Sequence, residues 1–232
     1  MAKQIILGVG AHPDDLEFGA GGAVAKFAKE GADCYYLIVT DGSKGTRDPK
    51  MTAKRLAAIR QKEQRSAAKI LGVKDVFFLK HTDGELFLDL GLKKEIVRYI
   101  RKLKPDIVIT SDPSFLYSDR YVNHSDHRAT GQATIDAVFP MSRNPMTFPE
   151  LKKEGYLPHK VKELYLSNMQ NPNFGVDITD TIDLKVKAIG EHKSQGIGQN
   201  PSFAKDMAAG IGKRFGYKYA ESFFRIVFAI QF

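Results

Sequence analysis

The sequence predicts an α/β fold, a single Rossmann-like domain over residues 1–232 built on an open, mostly parallel sheet with helices on both faces. Three observations lead there. Short apolar runs alternate with longer stretches of helical periodicity, which is the pattern of parallel strands joined by crossover helices. Glycine or proline stands at the ends of these stretches. The 232 residues lie within the range where one α/β domain stays a single folding unit.

The elements follow in order. Gln4 to Gly10 is short and apolar and reads as the first strand. Gly19-Ala20-Gly21-Gly22 reads as a glycine-rich turn that opens a helix with apolar residues at Val24, Phe27 and Ala28. Cys34 to Thr40 forms the second strand, and a polar loop from Asp41 to Met51 leads into a helix from Thr52 to Leu71. That stretch has no internal Gly or Pro and is ended by Gly72. Strand Val76 to Leu79 and helix Leu92 to Leu103 come next, the helix stopped by Lys104-Pro105. Strand Ile107 to Thr110 and helix Arg128 to Phe139 complete the regular part. Beyond Pro140 the prolines at 145, 149 and 158 break the pattern, and a strand (Glu163 to Ser167) and a helix (Asp180 to His192) restore it. Ser194 to Gly212, rich in Gly and polar residues, reads as a loop.

Composition excludes several classes. Hydrophobic residues at 43% and charged residues at 27% match ordinary globular usage, which argues against disorder and fibrous structure. No apolar run approaches the ~20 residues of a membrane helix. The first strand is too short for a signal peptide and lacks a cleavage pattern, so a cytoplasmic location with no membrane partner is expected. The single cysteine, Cys34, lies in an apolar strand and is expected to be a buried, inert thiol. The net charge of +8 is spread along several helices among Glu and Asp, without interleaved aromatics, so no nucleic-acid partner is expected.

Two clusters carry the chemistry. In open α/β sheets, ligands bind beyond the carboxyl ends of strands. His12-Pro13-Asp14-Asp15 follows the first strand, and Asn123-His124-Ser125-Asp126-His127 follows the fourth after a loop containing Asp112 and Tyr117. Asp14 or Asp15 could cap the next helix, but a cap does not call for all four residues together. Gly8-Val9-Gly10 resembles a dinucleotide loop only in part, because its third glycine falls at Pro13 and two carboxylates would meet a pyrophosphate. Carboxylates there suit a cation. Catalytic zinc takes three ligands from His, Asp and Glu. His12 and Asp15, three apart on a first helical turn, can offer two, and His127 the third.

These residues resemble the PIG-L/LmbE-like N-deacetylase family, whose members carry His-Pro-Asp-Asp after the first strand and His-x-Asp-His further on. Weaker landmarks extend the resemblance over most of the chain: Arg60 with Glu63, Asp83-Gly84, Lys104-Pro105-Asp106, His192 with Ser194-Gln195, and Tyr219 to Phe223. Asn123 before the second motif and Ser125, where many relatives have Pro, depart from it. The resemblance implies zinc held by His12, Asp15 and His127, with Asp14 as general base. Iron or cobalt would also suit a His-Asp-His set. It further implies His124 as a protonated oxyanion donor kept charged by Asp126, and Arg60 and His192 as substrate-contacting residues. The implied reaction removes the N-acetyl group of a small N-acetylglucosamine-type sugar. The alternatives are an amidase for a larger acyl group or thiol-sugar conjugate, and a non-catalytic zinc or sugar binder. A homo-oligomer, trimer or hexamer, is implied as well. Ser43, Lys44, Thr46 and Arg47 in the 41–51 loop are expected to bear on substrate choice.

Overall fold

The computed structural model describes residues 3–167, 170–196 and 202–228. The chain runs β1 (Ile5–Gly10), α1 (Asp15–Lys29), β2 (Asp33–Thr40), α2 (Ala53–Ile70), β3 (Asp75–His81), α3 (Leu90–Leu103), β4 (Ile107–Ser111) and α4 (Ser125–Asp136). It continues through α5 (Pro149–Lys153), β5 (Glu163–Ser167), β6 (Phe174–Asp177), α6 (Ile182–Gly190), α7 (Phe203–Phe215) and β7 (Ala220–Val227). The seven strands form one sheet in the order β3-β2-β1-β4-β5-β7-β6. Strands β3 to β5 pair in parallel, whereas β7 runs antiparallel to both β5 and β6.

Alternation along the strands fills two cores. In β1, Ile6 faces a cluster with α1, α2 and α6, while Leu7 and Val9 face a second cluster with α3 and α4. Both faces are therefore covered, as parallel sheets require. Gly8 and Gly10 have a packing role: a Cβ on Gly8 would meet Leu16 Cδ1 at 3.0 Å, so the glycines let the start of α1 lie directly on the sheet.

The chain leaves β1 toward β2 on one side and returns with β4 on the other. The β1/β4 junction is thus the point where the winding reverses, and the two loops beyond it part to leave a crevice. Both sequence clusters lie on these two loops.

Three expectations need correction. Gly19 to Gly22 form no turn: α1 begins at Asp15 and runs through them, because small residues there allow close approach to neighbouring elements. The stretch from Ser194 to Gly212 is no continuous loop. Lys193–Gln195 is a single helical turn and Phe203–Phe215 is helix α7, its apolar side packed on β6 and β7; residues 197–201 lie outside the described residues. The helix expected to reach Phe139 ends as α4 at Asp136 and passes into a wider turn, Ala137–Met141, in which Phe139 leaves helical geometry before a cis bond to Pro140. Strands β6 and β7 were not expected at all. Among the described residues, no helix is long and apolar enough to cross a membrane.

Candidate active site

The turn after β1 is fixed from both sides. Thr40 donates from its backbone N and its Oγ1 to the carbonyl of Ala11, each at 2.8 Å, which anchors the turn to β2. Asp15 N donates to His12 O, and Asp15 Oδ2 accepts from His12 N at 2.8 Å. The three-residue spacing therefore works by closing a turn ahead of α1, since only Asp15 belongs to the helix. Asp14 occupies the N-cap position, yet its side chain makes no capping hydrogen bond, so capping does not account for it.

Three donor atoms converge in the crevice. His12 Nδ1 and His127 Nε2 lie 3.1 Å apart, His127 Nε2 is 3.1 Å from Asp15 Oδ1, and Asp15 Oδ2 is 3.7 Å from His12 Nδ1. Two imidazole nitrogens facing each other at this distance require a proton or a cation between them. The outer ring atoms are held as in metal sites. His12 Nε2 faces Asp126 Oδ2 at 3.1 Å and Asp83 Oδ1 at 3.2 Å, and His127 Nδ1 faces Asn123 Oδ1 at 3.2 Å. Acceptors there take the outer N–H and turn the inner lone pairs toward the site. Two imidazoles and a carboxylate fit a catalytic divalent ion that keeps a position open. A second group of candidate ligands, His12, Asp83, His124 and Asp126, shares His12. Its carboxylates already face His12 Nε2, and Asp126 accepts Gly84 N at 2.7 Å as well, so they act as outer partners.

The electrostatics favour positive charge at this point. Burial lowers the His12 pKa, but the bonds from Asp126 and Asp83 and the charge of Asp15 outweigh it and push it to about 10. Burial would raise Asp15, and the charge and hydrogen bond of His127 hold it well below the usual carboxylate range. Asp83 is likewise kept at about 2 by His12 against the effect of burial. Asp14 goes the other way: burial lifts it to about 6, although Arg60 opposes the shift. A carboxyl near neutrality is what a proton-transferring group needs.

Helix α2 grips Asp14 with one face. Residues 60, 63 and 64, spaced i, i+3, i+4, point the same way. Arg60 is 3% exposed and donates to Asp14 Oδ2 at 3.2 Å, to Pro13 O and to Gly42 O. Gln64 Oε1 accepts Asp14 N at 2.9 Å, and Gln64 Nε2 donates to Glu17 Oε1 at 2.8 Å. Glu17 Oε2 in turn lies 3.3 Å from His192 Nε2. Glu63 accepts Ser194 N and Ser194 Oγ, which holds the neighbouring Gln195 at the rim of the site, where it donates to Gly45 O.

His12, Asp14, Asp15, His124, Asp126 and His127 are thus together, and Arg60 and Lys44 stand in the wall of the same polar recess of about 430 Å³. His192 is not: it is wholly buried beneath Glu17 and does not line the recess. The expectation that Asp126 keeps His124 charged is also corrected. Burial and the nearby charge of His12 lower the His124 pKa, and the Asp126 carboxylate, 3.9 Å from His124 Nδ1, is turned toward His12. His124 Nδ1 accepts the backbone N–H of Asp126 at 3.1 Å, which leaves a neutral ring with its Nε2–H available. Glu17, Gln64, Asn123 and Tyr121 also border or brace the site without a sequence motif that assigns them a role. Asp83 carried a signal in its position just beyond β3; the others had none beyond nearness to a motif.

A family model described as "GlcNAc-PI de-N-acetylase", PIG-L, matches residues 7–138, more than half of the chain. The chain belongs to the PIG-L family. The matched span runs from β1 to just past α4 and so contains both halves of the crevice. The chain is 35% identical over 220 residues to a diacetylchitobiose deacetylase of Thermococcus kodakarensis, covering 93% of this chain and 80% of that one. The N,N'-diacetylchitobiose deacetylase of Pyrococcus horikoshii, solved with its inhibitor MPG, superposes with a TM-score of 0.89 at 34% identity, over 97% of this chain and 84% of that one. The 4-carboxy-2-hydroxymuconate hydratase GalB of Pseudomonas putida superposes with a TM-score of 0.81 at 21% identity, which shows a shared fold alone. Function on this fold must therefore be argued from the site.

Proposed function

We propose that this chain hydrolyses the N-acetyl group of a small N-acetylglucosamine-type sugar with the aid of a divalent metal, zinc foremost, releasing acetate and the free amine. The observation that carries this reading is the convergence of His12 Nδ1, Asp15 and His127 Nε2 beside a buried carboxyl near neutrality, Asp14. The two diacetylchitobiose deacetylases support the substrate class. His12, Asp15 and His127 would hold the divalent ion, which when bound would supply an acidified water and Lewis acidity toward the acyl carbonyl.

The chain's own groups complete the chemistry. Asp14 takes the proton of the attacking water on its carboxylate and returns it to the leaving amine nitrogen. Neutral His124 donates Nε2–H to the developing oxyanion. Arg60 keeps Asp14 facing the site through its bonds to Pro13 O and Asp14 Oδ2. Lys44 and Gln195 at the rim can reach sugar hydroxyls.

The test is release of amine from N-acetylglucosamine and diacetylchitobiose by metal-loaded protein, with metal content measured on the same sample. Chelation abolishes the activity, and Asp14→Asn lowers kcat by about 10²–10⁴ with the metal retained. An Asp14→Asn variant at the wild-type rate would overturn the assigned base, and no amine from any sugar would overturn the reaction.

A homo-oligomer, trimer or hexamer, belongs to the same reading. Its support is a set of exposed apolar side chains on segments next to the active-site loops, Phe87 and Leu90 beyond Gly84 and Tyr117 and Val122 just before the second motif. Light scattering is expected to give at least three times the 25.9 kDa chain mass; a monomer refutes it.

A further inference from the structure

The candidate metal ligands Asp15 and His127 stand between two recesses of opposite character. On one side is the polar recess that contains Asp14, Arg60 and Lys44. On the other lies a recess of about 310 Å³ whose wall is built by Phe18, Ala204, Met207, Ala208 and Ile211, from α1 and α7. Phe18 stacks on Phe203 with ring centroids 5.7 Å apart, which continues the apolar lining toward the start of α7. Asp15, His127 and Tyr121 border both recesses, so the two open on the same reaction centre.

Three polar side chains that line this second recess, Lys185, Glu221 and Ser167, are engaged with the protein itself. Lys185 Nζ donates to Phe18 O and to Glu221 Oε1. Glu221 also accepts the backbone N–H groups of Gly22 and Ala23, at 2.9 and 2.7 Å. Ser167 Oγ donates to Gly19 O. With Lys185, Glu221 and Ser167 so engaged, the side of the recess formed by α1 and α7 offers mainly hydrocarbon.

An amide has two arms, and the site distinguishes them. The amine arm must lie within reach of Asp14, which returns a proton to the leaving nitrogen, and Asp14 borders only the polar recess. That side also holds the charged and amide groups that suit sugar hydroxyls. The acyl arm then points the other way. The volume there is about ten times the ~30 Å³ share of one water molecule in the liquid, far more than an acetyl methyl fills.

We propose that the apolar recess between α1 and α7 receives the acyl arm of the substrate, and that the chain cleaves amino sugars carrying N-acyl groups longer than acetyl. This rests on the amide-hydrolase reading above and names the acyl class. Ile211 and Met207 set the length accepted, since Ile211 is half-buried and Met207 exposed on the α7 side of the wall.

The test compares N-acetyl-, N-butanoyl- and N-hexanoylglucosamine with the full-length, metal-loaded protein. The value of kcat/KM is expected to rise by about fourfold per added methylene, the factor equivalent to ~0.8 kcal/mol. Ile211→Trp, which narrows the recess, lowers the hexanoyl-to-acetyl ratio by about tenfold. Met207→Asp, which places a charge at its rim, lowers the same ratio and covers the case in which the tryptophan variant does not fold. A second arm measures binding of the three compounds to metal-free protein by calorimetry, where the hexanoyl compound is expected to bind tightest. Cleavage of the acetyl compound with no preference for longer chains in either arm overturns the recess assignment and leaves the deacetylase reading intact. Tighter hexanoyl binding with no cleavage of any compound does the reverse.

Discussion

Asp14 is held by its backbone as firmly as by its carboxylate. Its φ of 120° lies in the region that non-glycine residues avoid, at a cost of about 1–3 kcal/mol that the surroundings must offset. Gln64 supplies part of that offset by accepting Asp14 N while its other end holds Glu17. Gln64→Leu removes both bonds and leaves two buried polar groups unpaired, each worth about 1–3 kcal/mol. A lower Tm is expected, together with a fall in kcat larger than any rise in KM and with metal content unchanged. Retained kcat in a folded Gln64→Leu protein would show that Asp14 keeps its place without it. The limits of the sequence at this scale follow from distance along the chain. The ligand motifs are local and can be read directly, whereas Gln64 meets Asp14 across 50 positions, a contact that only packing of α2 against the β1 turn creates. His192 shows the same limit in reverse, since its position after a helix said nothing of its complete burial under Glu17.

At the level of elements, glycines caused the main misreadings. A glycine cluster inside α1 looks like a turn in sequence, but Gly22 faces Ile178, whose atoms would stand 2.7 Å from a Cβ, so small size is what the position requires. The glycines of α7 hid that helix for a similar reason. Gly212 packs against the carbonyl of Tyr217, 2.5 Å from where a Cβ would sit. The β-α alternation up to β4 was readable because period and length distinguish buried strands from helices there. Strands β6 and β7 were not, because antiparallel pairing at the end of the sheet follows from long-range contacts. The same close packing governs α4, which carries His127. A Cβ on Gly131 would lie 2.4 Å from Ser111 O and 3.1 Å from Pro113 Cδ. Gly131→Ala must therefore push α4 away from the end of β4, at a cost of about 1–3 kcal/mol. Because His127 is one turn earlier on the same face, metal affinity is expected to fall along with Tm. Thermal melts with and without metal check this, and a variant with unchanged Tm and unchanged metal titration would contradict the packing.

Across the whole molecule, the parallel strands carry the crevice and the antiparallel strands close one flank of it. The joint between these parts includes the buried pair Lys185–Glu221, which links α6, β7 and the backbone of α1. Its side chains are 6% and 3% exposed, so neither charge is fully hydrated. Breaking one partner of such a pair costs about 3–5 kcal/mol, because the other is left charged and buried. Lys185→Met should therefore lower the urea midpoint strongly and loosen the start of α1, where Lys185 also holds Phe18 O. Adding Glu221→Gln removes the stranded charge while keeping a carbonyl acceptor for Gly22 or Ala23, so the double variant is expected to recover part of the loss. This partial recovery distinguishes an electrostatic joint from simple filling of space, in which the second substitution would add to the first. A Lys185→Met protein within about 1 kcal/mol of wild type, the range of exposed ion pairs, would mean that the two halves are held together by their apolar contacts alone.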